Sequence, residues 1–178
     1  YKNWMDATTW PGTDTETIHR QQQHGTQVQD PREKPGLIGA FCRTYTIHQA
    51  IAKFLPDTYK PGTQKNRYTY TKGTSSNGLI VYDGGLHAYS NHATDPTNST
   101  LVNAFDLVRT HTYGHLDDTT SPNTPVNKLP SYQAMTNLID NDEPTKLNNA
   151  HHQMELAKQL FHTTNTEETN NDNDNDTT

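Results

Sequence analysis

Residues 78–90 read GLIVYDGGLHAYS. Two runs of β-forming residues, Gly78-Leu79-Ile80-Val81-Tyr82 and Leu86-His87-Ala88-Tyr89-Ser90, flank Asp83-Gly84-Gly85. Glycine reaches the positive φ of a tight hairpin turn at no steric cost. The pattern therefore predicts two antiparallel strands joined by that turn. Upstream, Arg67-Tyr68-Thr69-Tyr70-Thr71 alternates and is rich in β-formers, which predicts a further strand of the same sheet.

Helical spacing frames this β section. In residues 46–55, Ile47, Ile51, Phe54 and Leu55 recur at i, i+4, i+7 and i+8. Thr44 or Thr46 is the candidate N-cap, and Pro56 stops the helix. Leu101 to His111 predicts a second helix with Val102, Phe105 and Val108 on one face, capped by Asn98, Ser99 or Thr100 and ended at Gly114. A third begins at Pro130 with Met135, Leu138 and Ile139 inward, and a fourth runs from Lys146 to Phe161. The expected class is α+β: a small antiparallel hairpin or sheet packed with about four short helices.

Only 29% of the 178 residues are hydrophobic, against about 45–50% for typical globular chains. They concentrate between Gly36 and about Phe161. This predicts a linker-like segment over 1–30, one α+β domain over 31–162 and a disordered acidic tail over 163–178, where the Asn-Asp repeats bury too little to offset ordering. Net charge is -6, yet residues 31–72 carry Arg32, Lys34, Arg43, Lys53, Lys60, Lys65, Arg67 and Lys72 against Glu33 and Asp57. That asymmetry suits an anionic partner as well as a solvated surface. The single cysteine, Cys42, excludes a disulfide framework or a Cys-based zinc site within one chain. No run approaches the roughly 20 apolar residues of a membrane span, so a cytosolic protein without membrane contact is expected.

The run Ser90-Asn91-His92-Ala93-Thr94-Asp95-Pro96 concentrates polar groups between strand and helix. His92, Asp95, His111 and His115 are candidate metal ligands, and His111 and His115 stand at i, i+4. Gly114 lies between them and should end the helix first, so these residues read as hydrogen-bonded or solvated histidines, with no metal and no cofactor. Ser90, His92 and Asp95 are too close in sequence to form a triad, whose members converge from separate elements. The chain has no G-x-S-x-G elbow, phosphate-binding G-x-x-x-x-G-K-[ST] loop or dinucleotide fingerprint. Asp117-Asp118 stands in a polar loop with nothing in sequence to tune it. No self-contained active site emerges. Asp95-Pro96 marks a turn in which Asp bonds its own downstream backbone. Tyr68, Tyr70, Tyr82 and Tyr89 on adjacent strands, bordered by basic residues, are the ingredients of a single-strand platform: bases stack on aromatics and phosphates pair with Lys or Arg. They equally suit a core.

Residues 34–45, KPGLIGAFCRTY, resemble the KPGxxGxFCRxY motif of phage and prophage DNA primase–helicases of the virulence-associated protein E-like family. Four later stretches agree in order: RYTYTKGTSSNGLIVYDGG, AYSNHATDP, NAFDLVRTHTYG and NKLPSYQAM. The similarity runs from about Trp10 to Met154. It implies a region between a primase domain and a superfamily 3 helicase domain, in the cytoplasm of a bacterial host. The ATP site of such a protein would lie downstream. The family usually has Ser-His-His where Ser90-Asn91-His92 stands, and often Cys where Val102 stands. The hairpin and following helix also look like the zinc-ribbon region of bacterial-type primases, here a remnant without its ligands.

Two readings follow. In one, the chain is a non-catalytic module that contacts single-stranded DNA, or couples primase to helicase, through Arg43, Arg67, Tyr68, Tyr70, Lys72, His92 and Arg109. In the other it is a purely structural interdomain module. Ser90, His92, Asp95, Asn103 and Asp106 form the polar structural motif in both.

Overall fold

A computed structural model describes residues 28–168. The hairpin read from residues 78–90 is the centre of a five-stranded antiparallel sheet whose strands follow chain order. They are β1 (Tyr59–Pro61), β2 (Arg67–Tyr70), β3 (Leu79–Tyr82), β4 (His87–Ser90) and β5 (Leu101–Asn103). Val81 faces Ala88 and Tyr82 faces His87 across the turn, where Gly84 and Gly85 have φ of 66° and 104°. Strand alternation then sorts the side chains. Leu79, Val81, Ala88 and Val102 enter the core, together with Tyr59 and Tyr70. Arg67, Ile80, Tyr89 and Leu101, paired successively across β2 to β5, lie on the other face.

Five helices surround the core face: α1 (Gly36–Thr44), α2 (Ile47–Phe54), α3 (Ala104–Tyr113), α4 (Pro130–Asp140) and α5 (Glu143–Glu168). The α+β class expected from sequence is the observed one. Helix α1 has no counterpart in the sequence reading, because Gly36 and Gly39 depress its intrinsic helix propensity. Packing overrides that preference: Ala40, Phe41 and Cys42 are buried, and Phe41 meets Tyr45, Phe54 and Phe105. Helix α2 has the expected N-cap. Thr46 accepts from the Gln49 backbone N–H, while the Gln49 side chain accepts from the Thr46 N–H, a reciprocal capping box.

Two boundaries differ from expectation. Leu101–Asn103 is a strand, and the helix starts only at Ala104, with Asn103 rather than Asn98, Ser99 or Thr100 as its cap. Val102 kept the helical spacing by coincidence, whereas pairing with Ala88 places it in the sheet. Helix α5 runs from Glu143 to Glu168, beyond the expected Lys146–Phe161 at both ends. The expectations for 1–27 and 169–178 lie outside the described residues.

Helix α5 is anchored at its start. Asp142 accepts from the Thr145 backbone and hydroxyl, from Tyr45 and from Lys53, linking it to α2 and the end of α1. Farther along, Leu147 and Met154 are exposed rather than part of the core. No helix among the described residues is long and apolar enough to cross a membrane.

Replacing Thr46 with Ala removes the hydroxyl of the capping box and should destabilise the domain by about 1 kcal/mol. Urea unfolding of the two proteins measures the difference; an unchanged midpoint would show that α2 is held by packing alone.

Candidate functional site

The SNHATDP segment leaves β4, folds back and crosses to the sheet edge. Its backbone is held by Asp95 N–H on the His92 carbonyl at 3.0 Å and by Ser99 N–H on the Ser90 carbonyl at 2.9 Å. Asp95 is 4% exposed. Its carboxylate accepts from the Tyr59 hydroxyl at 2.6 Å, from the Ser90 hydroxyl at 2.7 Å, and from the backbone N–H and hydroxyl of Thr97 at 2.8 and 2.7 Å. His111 Nε2, on α3, lies 3.2 Å from the same carboxylate and 2.7 Å from the Tyr59 oxygen. The single Tyr59 proton goes to the carboxylate, so His111 Nε2 is the donor. Burial by itself raises the carboxyl pKa, but the bonds from His111, Tyr59, Ser90 and Thr97 outweigh it and hold the group well below the usual carboxylate range. Burial, then the neighbouring carboxylate, pushes the Tyr59 phenol up. The cluster joins β1, β4 and α3 through one anion.

His92 performs a second clasp. Its ring is buried, and Nε2 lies 3.1 Å from both the Tyr70 and the Gly78 backbone N–H groups. Two donors on Nε2 make it the acceptor, so the ring proton sits on Nδ1 and bonds Ser75 Oγ at 2.9 Å. The 71–78 loop is thus wrapped around one imidazole. Gly78 permits the approach, because a Cβ there would stand 2.7 Å from the ring. Ser90 is also fully buried and gives its proton to Asp95, so it is no exposed nucleophile.

The third cluster is built from Asn103, Asp106 and Arg109. Asn103 Oδ1 accepts the Asp106 N–H at 2.9 Å, and its amide donates to Asp106 Oδ2 at 2.9 Å. Arg109 Nε meets Asp106 Oδ1 at 3.3 Å, and Nη1 donates to Ser131 Oγ at 2.7 Å and lies 3.5 Å from Asp117 Oδ2. Asp117 in turn accepts from the Ser131 backbone and hydroxyl. The loop carboxylate that looked isolated in sequence therefore fixes the start of α4. Cys42 lies 3.7 Å from Asn103 Oδ1, and burial pushes its thiol up to about 11.

The sequence-predicted contact residues separate into different places. Tyr70 is 6% exposed and packs on Tyr59 and His111. Tyr68 is on the same face, its hydroxyl 2.7 Å from His48 Nδ1. His92 and Arg109 are spent in the clusters just described. Arg67 and Lys72 remain accessible, half-buried and exposed respectively. Arg43 lies elsewhere, on α1, donating to the Arg32 carbonyl at 2.7 Å. Tyr89, half-buried, shares the outward face with Arg67, and Tyr82 lies two residues from Ile80 on that face. The period of two in residues 67–90 carried this sorting, since Tyr68 pairs with Leu79 while Arg67 pairs with Ile80.

Among the described residues, no group of three or more His, Cys, Asp or Glu side chains is placed to hold a metal ion. Comparison of the chain with protein families, with curated proteins and with solved structures finds no match.

Gly78→Ala forces its methyl into the His92 ring and should destabilise by about 1–3 kcal/mol; a urea midpoint equal to that of the unaltered protein would show that the clasp yields without cost. Asp95→Asn should destabilise by about 3 kcal/mol at pH 7, since the donors around it lose an anionic acceptor. The native carboxyl titrates below its unfolded value of about 3.9. Its contribution is therefore complete above about pH 4 and is lost as pH falls through the lower native value. Unfolding curves from pH 7 downward should show the gap between the two proteins narrowing only below about pH 4; a gap of constant size would assign the loss to shape rather than charge.

Proposed function

We propose that this region is a non-catalytic module of a phage-type DNA primase–helicase that holds single-stranded DNA against the outward face of its sheet. The observation that carries this reading is one cross-strand row, Arg67, Ile80, Tyr89 and Leu101. The half-buried Arg67, Tyr89 and Leu101 stand side by side there with Ile80, itself buried. Lys60, paired with Thr69, lies on the same face, and Lys65 and Lys72 are exposed nearby in sequence. None of these four cations forms an ion pair among the described residues. Bases would stack on Tyr89 while phosphates pair with Arg67 and the lysines. The five ordered motifs that resemble the virulence-associated protein E-like family supply the replication context, with primase and helicase domains of the same protein as partners and the bacterial cytoplasm as the place.

A second reading, a purely structural interdomain module, has its own support. Ser90, His92, Asp95, Asn103, Asp106 and Arg109 all spend their polar groups inside the fold. In that reading the motifs are needed to make the domain and touch no nucleic acid.

Fluorescence anisotropy of a labelled single-stranded oligonucleotide, across a salt series, separates the two. The DNA reading expects saturable binding that weakens steeply with salt. Arg67→Ala should lower the slope of log K against log salt by about 0.7, the value for one contact to a single strand. Tyr89→Ala should cost about 1–3 kcal/mol of binding, and Tyr68→Phe should change nothing. A folded chain that does not bind at low salt would establish the structural reading instead.

A further inference from the structure

Away from the sheet face, a groove of about 840 Å³ opens between the segment 30–36 and α5. That volume falls within the range of small-ligand sites, about 300–1,000 Å³. Arg32 on its rim is neutralised by Asp30 at 2.6 Å. Arg43 and Lys34, which also line it, have no carboxylate within 4.0 Å among the described residues. Arg43 is half-buried: its Nη1 donates to the Arg32 carbonyl, its Nη2 reaches Asn149 Oδ1 at 3.4 Å, and its Nε is buried with no hydrogen-bond partner. A desolvated guanidinium without a counter-charge is costly, and an unmade charged hydrogen bond adds to that cost. His152 also lines the groove, on the α5 wall. Among the described residues Glu33 is the remaining carboxylate in the lining, which leaves the two unpaired cations in excess.

We infer that this groove is a phosphate-binding site, with Arg43 and Lys34 as its principal donors. Guanidinium and ammonium together suit a tetrahedral anion: the first offers a planar fork and the second a point charge. The Arg43 guanidinium and the Lys34 ammonium supply the bonds, and a ligand there counters both charges. The site is separate from the sheet face, so either can fail without the other. The phosphate belongs either to a free nucleotide or to a DNA strand, and the chemistry is shared.

The test is thermal unfolding of the full chain against inorganic phosphate, with chloride at matched ionic strength as control. A ligand that binds only the native state raises the midpoint with its concentration. Inorganic phosphate and deoxyadenosine monophosphate should both raise it saturably, and deoxyadenosine should not. Lys34→Gln and Arg43→Lys should each weaken the apparent affinity by about tenfold, the loss of one charge-assisted contact. Lys34 is half-buried at the groove, so Lys34→Gln keeps the test valid even where Arg43→Lys lowers the basal midpoint. Arg67→Ala and Tyr89→Ala should leave the phosphate effect intact. Competition by a 5′-phosphorylated oligonucleotide, but not by its unphosphorylated form, would name a strand end as the source. Competition by neither would name a free nucleotide. A midpoint that responds to phosphate no more than to chloride, or responds equally in both groove variants, overturns the inference.

Discussion

One buried carboxylate ties the sheet to the helices. Asp95 follows β4, yet its oxygens are held by Tyr59 from β1, by Thr97 from its own turn and by His111 from α3. An anion in that position is tolerable only because every neighbour donates to it. The bonds act in both directions. The carboxylate fixes the rotamers of Tyr59 and Ser90, and through His111 it sets how α3 lies across the sheet. The His92 clasp depends on the same turn, because the backbone of 92–95 positions the imidazole between Tyr70 and Gly78.

That architecture redirects the question of function. Residues whose types suggest chemistry (serine, histidine, aspartate and arginine packed into short motifs) are here consumed in holding elements together. The Asn103–Asp106–Arg109 group does for α3 and α4 what Asp95 does for the sheet. Groups left with open valence lie elsewhere. They are the cations and Tyr89 on the outward sheet face, and the Arg43–Lys34 groove beside α5. Both are cationic places on a chain of net charge -6. The acidic excess must therefore sit on other surfaces or on the ends of the chain, which gives an anionic partner a preferred approach.

The hairpin of residues 78–90, the β2 strand, helix α2 with its threonine cap, and helix α4 were legible in sequence because each is decided by neighbours a few residues apart. Turn glycines, a capping hydroxyl and a regular period act locally. Helix α1 was not legible, since its glycines argue against a helix that only the packing of Phe41 and Cys42 secures. Nor was the strand at Leu101–Asn103, whose apolar spacing fits a helix and whose strand state comes from pairing with β4.

For the polar residues the sequence by itself determined which were available, and it placed Ser90, His92 and Asp95 in one corner between strand and helix. It determined the alternation that sends Tyr68 and Tyr70 to one face and Arg67 to the other, though not which face is the core. Only the tertiary structure decided that, because the inward face is the one covered by helices from distant parts of the chain. Only the tertiary structure, likewise, brought Tyr59 and His111 to Asp95, paired Asp117 with Ser131 and left Arg43 half-buried without a carboxylate among the described residues. Hydrogen bonds over such separations carry no local sequence signal, since each partner is specified by where the whole fold places it.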